Sequence, residues 1–327
     1  MKSPPLSFGT IRVHAEDGTA MNPASHLGVY LQCPRCKTRI DGLSCSECAF
    51  QMKIHDGIVH ALPPGRAAYY ARFISEYEQI RAAEGRGSQS EDFYLALPYK
   101  DLSGRNSQQW RIRSTSYDYL VTRLLKRSHD RGSILDLGAG NCWMSFRLSL
   151  LGYDPVAVDL LTNEQDGLGA AVHFDTRLPI PIPRFQAEAT HLPFHDEQFD
   201  VIIFNASLHY SEDYEATLRE ALRCLKPAGM IIISDTPWYS REESGRQMVA
   251  ERHALFRQRF GTASDSVNSL EYLTDERLRV IEKKLSIQWT VHSPWYGWKW
   301  AMRPWIAKLR GQREPSRFRI YVASKHA

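Results

Sequence analysis

The chain has 327 residues, 43% of them hydrophobic and 24% charged, with a formal net charge of +4. That length supports one large core with or without a small appendage, and the balance excludes wholesale disorder. No apolar run approaches the ~18–20 residues needed to span a bilayer. The start, MKSPPLSFGTIRVHAEDG, lacks the continuous apolar stretch of a secretory signal, so the expected location is cytoplasmic.

Residues 1–27 read as a flexible N-terminal segment. A zinc-ribbon-like module is expected over 28–64, because Cys33, Cys36, Cys45 and Cys48 form two C-x2-C knuckles with eight residues between them. Each knuckle chelates from one tight turn, and four thiolates complete a tetrahedron around Zn²⁺ with no position left for water or substrate. The metal is therefore expected to be structural. Two short strands joined by Asp41-Gly42 fit the gap, and a hairpin this small needs metal binding to supply its folding free energy. IHDGIVHALPPG reads as a strand that breaks at Pro-Pro-Gly, which sets the boundary near Pro64.

A helical lid or connector is expected over 65–131. Tyr70, Phe73, Tyr77 and Ile80 recur at helical spacing. The stripe is either core or the inner face of a lid with Tyr69, Tyr77 or Arg81 turned to a ligand. Glu84–Asp101 reads as irregular, and Trp110–Arg127 as an amphipathic helix.

From Ser133 the pattern alternates: strand SILDLG, helix CWMSFRLSLLG, strand PVAVDLL, a long irregular stretch, strand FDVIIFNAS, helix DYEATLREALRCL, turn KPAG and strand MIIISD. Continuous apolar strands alternating with helices predict an α/β fold with a parallel sheet covered on both faces. FRIYVASK is expected as a last, antiparallel edge strand. The core is placed at 132–327, with a Trp-rich insertion at about 286–315.

Within this core, ILDLGAG breaks from a strand into a glycine-spaced turn, and Asp159 follows nineteen residues after Gly140 at the end of the next strand. Such a turn is expected to offer backbone N–H groups to a nucleotide-like ligand, with the carboxylate placed for a ribose diol. Together with EATHLPF and FDVIIFNASLHY…KPAGMIIISD, these stretches make the chain resemble the class I S-adenosylmethionine-dependent methyltransferases, of the type 11 branch that includes quinone-biosynthesis enzymes. The resemblance covers about Gln109–Pro237 plus the last strand and implies a Rossmann-like sheet.

It further implies that Asp136, Gly138, Ala139 and Gly140 form the cofactor loop and that Asp159, with Leu160, holds the ribose. Glu188 would take the adenine amine, the Ala189 N–H would reach the ring, and Asn205 would stand at the sulfonium end. The family often has a third glycine where this chain has Cys142. Thr162, Asn163 and Asp166 are expected to add contacts near the ribose. In-line transfer needs positioning first and a base only where the acceptor must lose a proton. His209 is the candidate base, with Asn205 and Tyr210 as its catalytic neighbours and Asp235 on the same cleft; a packing role for His209 stays open.

The acceptor is less legible. Trp289, Trp295, Trp298, Trp300 and Trp305 crowd one segment, and from Ser286 onward eight Lys or Arg face the single acid Glu314. These residues could wall a pocket for a small or lipophilic molecule, rest peripherally on a membrane, or stack on nucleotides. The zinc module also resembles that of rRNA guanine methyltransferases, so an RNA base methyltransferase is the alternative. A cofactor-binding scaffold without turnover is a second alternative. Oligomeric state has no sequence signature here.

Overall fold

The computed structural model describes residues 28–125 and 132–325. The expected flexible segment 1–27 and the end of the 65–131 connector lie outside the described residues.

The chain opens with a two-residue strand pair, β1 (Leu31–Gln32) and β2 (Arg39–Ile40), antiparallel with Leu31 opposite Ile40. The first cysteine knuckle closes this pair, and an isolated Ser44–Gln51 bridge brackets the second. Asp41-Gly42 therefore links two knuckle hairpins, where the sequence suggested the turn of a single hairpin. Next comes a second hairpin, β3 (Lys53–His55) and β4 (Ile58–His60), turning at Asp56-Gly57. The sequence reading took this stretch as one strand; both turn residues have positive φ, which reverses the chain within two residues.

Helix α1 (Pro64–Ala83) starts with its proline at the first helical position, where the missing N–H costs nothing. A short α2 (Glu91–Ala96) stands in the segment read as irregular; its buried Phe93 and Tyr94 give it a reason to fold. Helix α3 (Ser107–Tyr119) continues into a π turn over Leu120–Leu124.

The core then alternates β5 (Ser133–Leu137), α4 (Trp143–Leu150), β6 (Asp154–Asp159), the single-turn α5 (Val172–Asp175), β7 (Arg184–Gln186), β8 (Phe199–Asn205), α6 (Tyr214–Cys224) and β9 (Leu225–Ser234). Asp213 caps α6 by accepting from the Glu215 and Ala216 N–H groups. The expected KPAG turn is absorbed into β9 as an irregular start, with a register shift opposite Phe199–Val201. Helices α7 (Glu242–Phe260) and α8 (Asp275–Leu285), strand β10 (Thr290–His292), helix α9 (Trp298–Leu309) and strand β11 (Ile320–Ser324) complete the chain.

Nine strands form one sheet in the order β10-β11-β9-β8-β5-β6-β7-β4-β3. The six strands from β9 to β4 run parallel; β11, β10 and β3 are antiparallel to their neighbours. The fold is thus α/β with a Rossmann-like parallel sheet. Two refinements follow. β11 is antiparallel as expected, but β10 pairs outside it, so β11 is not the edge. At the other end β4 pairs with β7, so the second hairpin of the segment expected as a separate ribbon extends the main sheet.

Leu135, Ile202, Phe204, Ile231 and Ile233 sit in one apolar layer; Ile134, Ala157, Ile203 and Ile232 belong to the other. Alternate residues of each central strand face opposite sides, which is why these strands are apolar throughout.

Candidate functional site

Gly138 begins where β5 ends, and the β5–β6 register puts Leu137 beside Val158, so the glycine turn lies against Asp159. The turn does not offer its N–H groups outward as the sequence suggested. Gly138 and Ala139 donate to the Val158 carbonyl, and Gly140 donates to Asp159 Oδ2 at 2.8 Å. Asp159 Oδ1 accepts from the Leu161 N–H at 2.9 Å. The carboxylate therefore grips the turn and its own following loop at once.

Gly138 has φ +77°, and a Cβ there would come within 2.2 Å of Ser207 Cβ. Glycine is required at that position on both counts. Cys142, at the position where the resembled family often has a third glycine, also takes a left-handed φ of 61° as it leads into α4, and it is fully buried. The chain thus keeps a glycine-like backbone with a thiol in place.

These residues line a cavity of about 420 Å³ whose walls include Asp136, Gly138, Asp159, Leu160, Glu188, Ala189 and Asn205, with Ala139 and Gly140 beside them. Burial raises Asp136 to about 6 against a hydrogen bond from Ser145 Oγ, and the charge of Asp159 adds to the rise. Burial also raises Asp159 to about 6, opposed by the N–H groups of Leu161 and Gly140. Both acids bind protons in the folded state at a pH where the unfolded chain has lost them. Relative to an Asp159→Asn variant, the ligand-free protein should therefore gain stability as pH falls from about 6 toward 4 in paired thermal melts, a comparison in which the opposing effect of neutral, buried His209 is common to both proteins. A parent that loses stability relative to the variant as pH falls would contradict the assignment.

Glu188 carries a surprise. It is buried, and Arg66 at the start of α1 holds both its oxygens, with Nε–Oε1 at 2.9 Å and Nη2–Oε2 at 2.7 Å. Tyr70, Thr190 and His191 also contact it. Burial pushes its pKa up, but His191 and Arg66 outweigh this and bring it to about 2. The Ala189 N–H, by contrast, has no acceptor among the described residues. Arg66→Ala should cost about 1–3 kcal/mol at neutral pH. That difference should fade as pH drops from 4.5 toward 2, where Glu188 takes up a proton. Equal melting of the two proteins at pH 7 would refute the latch.

Helix α1 closes the cavity with Tyr70, Phe73, Tyr77 and Arg81. Tyr77 packs edge-on to Tyr210 at 5.4 Å, and Arg81 pairs with Asp166. Tyr69 turns outward to Glu212 instead. Asn163 binds Glu78 and accepts from the Asp166 N–H, so it braces the loop. Thr162 is not part of the cavity wall.

A second hollow of about 220 Å³ adjoins the first; Phe73, Tyr77, Arg81, Arg113 and Tyr210 line both. His209 belongs to this hollow, with Asp235. Burial, then the charges of Arg252 and Arg113, lowers His209 to about 3. A ring so hard to protonate is a poor proton acceptor at neutral pH, and its Nδ1 has no partner among the described residues. Asp235, raised by burial and held by Ser116, is the stronger base of the two. Arg66 and Arg113 escaped the sequence reading, since neither sits in a motif. The Arg113 guanidinium makes no hydrogen bond or ion pair among the described residues and lies over the Trp110 ring at 4.8 Å.

Away from this cleft, the Sγ atoms of Cys33, Cys36, Cys45 and Cys48 lie within 4.8 Å of one another. Cys33 and Cys45 are buried in the main core with Leu31, Ile40 and Phe194. The knuckles dock through Gln32 N–H to the Pro193 carbonyl and Lys37 to Glu220.

The family described as "Methyltransferase domain" matches residues 135–233, from β5 to the end of β9. The part of the chain from β5 to β9 is thus similar to a methyltransferase domain. It is similar to the uncharacterized protein YafE of Escherichia coli (strain K12), 39% identical over 80 residues, covering 24% of this chain and 38% of YafE. It is also similar to demethylmenaquinone methyltransferase of Clavibacter sepedonicus, 32% identical over 134 residues, covering 41% of this chain and 50% of that enzyme. The matches thus span half or less of these relatives' length. Among solved structures, the YcgJ protein of Bacillus subtilis aligns at 18% identity and TM-score 0.47, covering 65% of this chain and 99% of that one.

Proposed function

We propose that this protein is an S-adenosylmethionine-dependent methyltransferase acting on a small or lipophilic acceptor by in-line transfer. The observation that carries the reading is the Asp159 carboxylate gripping the Gly140 turn on the wall of a cavity that Glu188 and Asn205 also line. A volume of about 420 Å³ falls within the ~300–1,000 Å³ range of ligand sites. The donor set fits the cofactor: Asp159 for the ribose hydroxyls, the free Ala189 N–H for the base, and Arg113 for the carboxylate of the methionine end. When bound, S-adenosylmethionine supplies a methyl group already activated by its sulfonium.

The chain's own work is positional. Tyr77, Phe73 and Tyr210 divide the two hollows and exclude water, and Asn205, fixed by the Ser234 hydroxyl, borders the reacting end. Asp235 takes a proton where the acceptor must lose one, while His209 stays neutral and packs on Tyr210. The second hollow, lined by Phe73, Tyr77, Tyr210, Phe256 and Phe318, suits a compact acceptor, and the quinone-type substrate in a relative's name agrees with a lipophilic one. The four thiolates are proposed to hold a structural Zn²⁺, for which a Zn–S length of about 2.3 Å fits their clustering.

Incubating the protein with methyl-labelled S-adenosylmethionine and a cell extract tests the assignment. Label should enter organic-soluble or other small molecules. Label confined to RNA would overturn the acceptor class, and binding of the demethylated cofactor with no label transferred would leave a scaffold.

A further inference from the structure

Helix α9 shows an apolar face that no described residue covers. Trp298 is 77% exposed, Trp305 67% and Leu309 86%, with Met302 and Ile306 exposed between them. Stepping 100° per residue, these side chains fall on one stripe. Trp295 packs edge-on against Trp298 at 5.0 Å and prolongs it. Stable soluble surfaces seldom gather three exposed tryptophans with Leu and Met in one patch.

The charges around the stripe point to one occupant. Residues 293–313 contain no Asp or Glu, and Lys299, Lys308 and Arg310 are exposed on the stripe's flanks. Beside the helix lies a hollow of about 350 Å³ whose wall includes Trp295, Trp305, Arg303, Arg317 and Arg319 and no acid. Arg303 lies over the Trp300 ring at 3.9 Å, which holds it at the rim. Apolar side chains with interfacial tryptophans, bordered by cations on both sides, match the boundary between acyl chains and anionic headgroups. No described helix is long and apolar enough to cross a membrane.

We infer that α9 docks the protein onto an anionic phospholipid surface, lying in the interfacial plane with Trp298, Met302, Trp305 and Leu309 immersed. The headgroup phosphates meet Lys299, Lys308 and the arginine-lined hollow. The same segment reaches the second hollow of the cleft. Trp300 stacks on Phe318, which lines that hollow, at 5.4 Å, and Tyr296 bonds Ser116, the partner of Asp235. Docking would therefore bring the membrane surface close to where the acceptor is expected, although the docking face itself takes no part in methyl transfer.

Flotation of the full chain with vesicles tests the inference without any turnover. With phosphatidylcholine containing about one-third phosphatidylglycerol, most of the protein should float at about 0.1 M salt, with a blue shift of tryptophan emission; pure phosphatidylcholine should retain several-fold less. The triple variant W298S/W305S/L309S should melt like the parent, because these side chains touch solvent, yet lose binding at least tenfold. The double variant K299E/K308E should lose the preference for anionic vesicles. No flotation with the anionic vesicles at low salt would overturn the inference. So would a triple variant that floats normally, one that converts a dimer to a monomer, or one whose only loss is RNA retention.

Discussion

Removing metal, or replacing Cys45 by Ser, should lower the melting temperature by about 10 °C and open residues 28–52 to protease. Cys33 and Cys45 are almost fully buried, and their neighbours Leu31, Ile40, Phe50 and Met52 belong to the main core, continuous with Phe194. Two-residue strands cannot hold that packing themselves, since a sheet so small buries too little to offset its chain entropy. The proposed tetrathiolate coordination would supply the remainder, and in isolated zinc modules it is worth on the order of 10 kcal/mol. The loss here should be smaller, because Lys37–Glu220 and the backbone pairing to Pro193 persist. A loss of several kcal/mol converts to roughly that shift for a core of this size. Metal analysis should find about one zinc per chain; an unchanged melt after chelation, with no zinc found, would remove the structural role.

Gly138→Ala should be the most damaging single change in the cleft. A side chain there must tolerate φ +77° and a Cβ placed 2.2 Å from Ser207 Cβ, whose hydroxyl binds the Leu137 carbonyl. Left-handed strain and overpacking together should cost about 2–4 kcal/mol of stability. They should also displace the turn from Asp159, so that binding of S-adenosylhomocysteine is lost beyond about a hundredfold. Gly140→Ala is the internal control. Its φ is +53° and its nearest neighbour, the Asp166 carbonyl, would stand 3.5 Å from the new Cβ, so only the backbone cost of about 1 kcal/mol applies. Equal effects of the two substitutions would mean that crowding at Ser207 is not what demands glycine.

The parallel core was legible because its strands are apolar on both faces, and runs such as FDVIIFN have no other stable place. Glycine spacing and the carboxylate at the end of β6 marked the cleft for the same reason: backbone geometry leaves a trace in residue type. Contacts made by long side chains across the fold leave none. Nothing near Pro64 announces that Arg66 will reach Glu188, 122 positions away, and Arg113 looks like any helix-surface cation until the cleft closes around it. For His209 the sequence left a base and a packing residue both open. Its position near Asn205 suggested a base, but burial decides its proton affinity, and burial is a tertiary property. The sheet edges were equally hidden, since β3 and β10 are three-residue strands defined by their partners rather than by pattern.

The most direct measurement is calorimetric titration of S-adenosylhomocysteine into the metal-replete chain and into its Asp159→Ala variant. The parent should bind with one-to-one stoichiometry. The variant should lose about 1–3 kcal/mol, roughly five- to 150-fold in affinity, because two ribose hydroxyls and the Gly140 N–H lose their common acceptor. If the parent takes up no ligand, or if the variant binds as tightly as the parent, Asp159 and the glycine turn do not hold an adenosyl group.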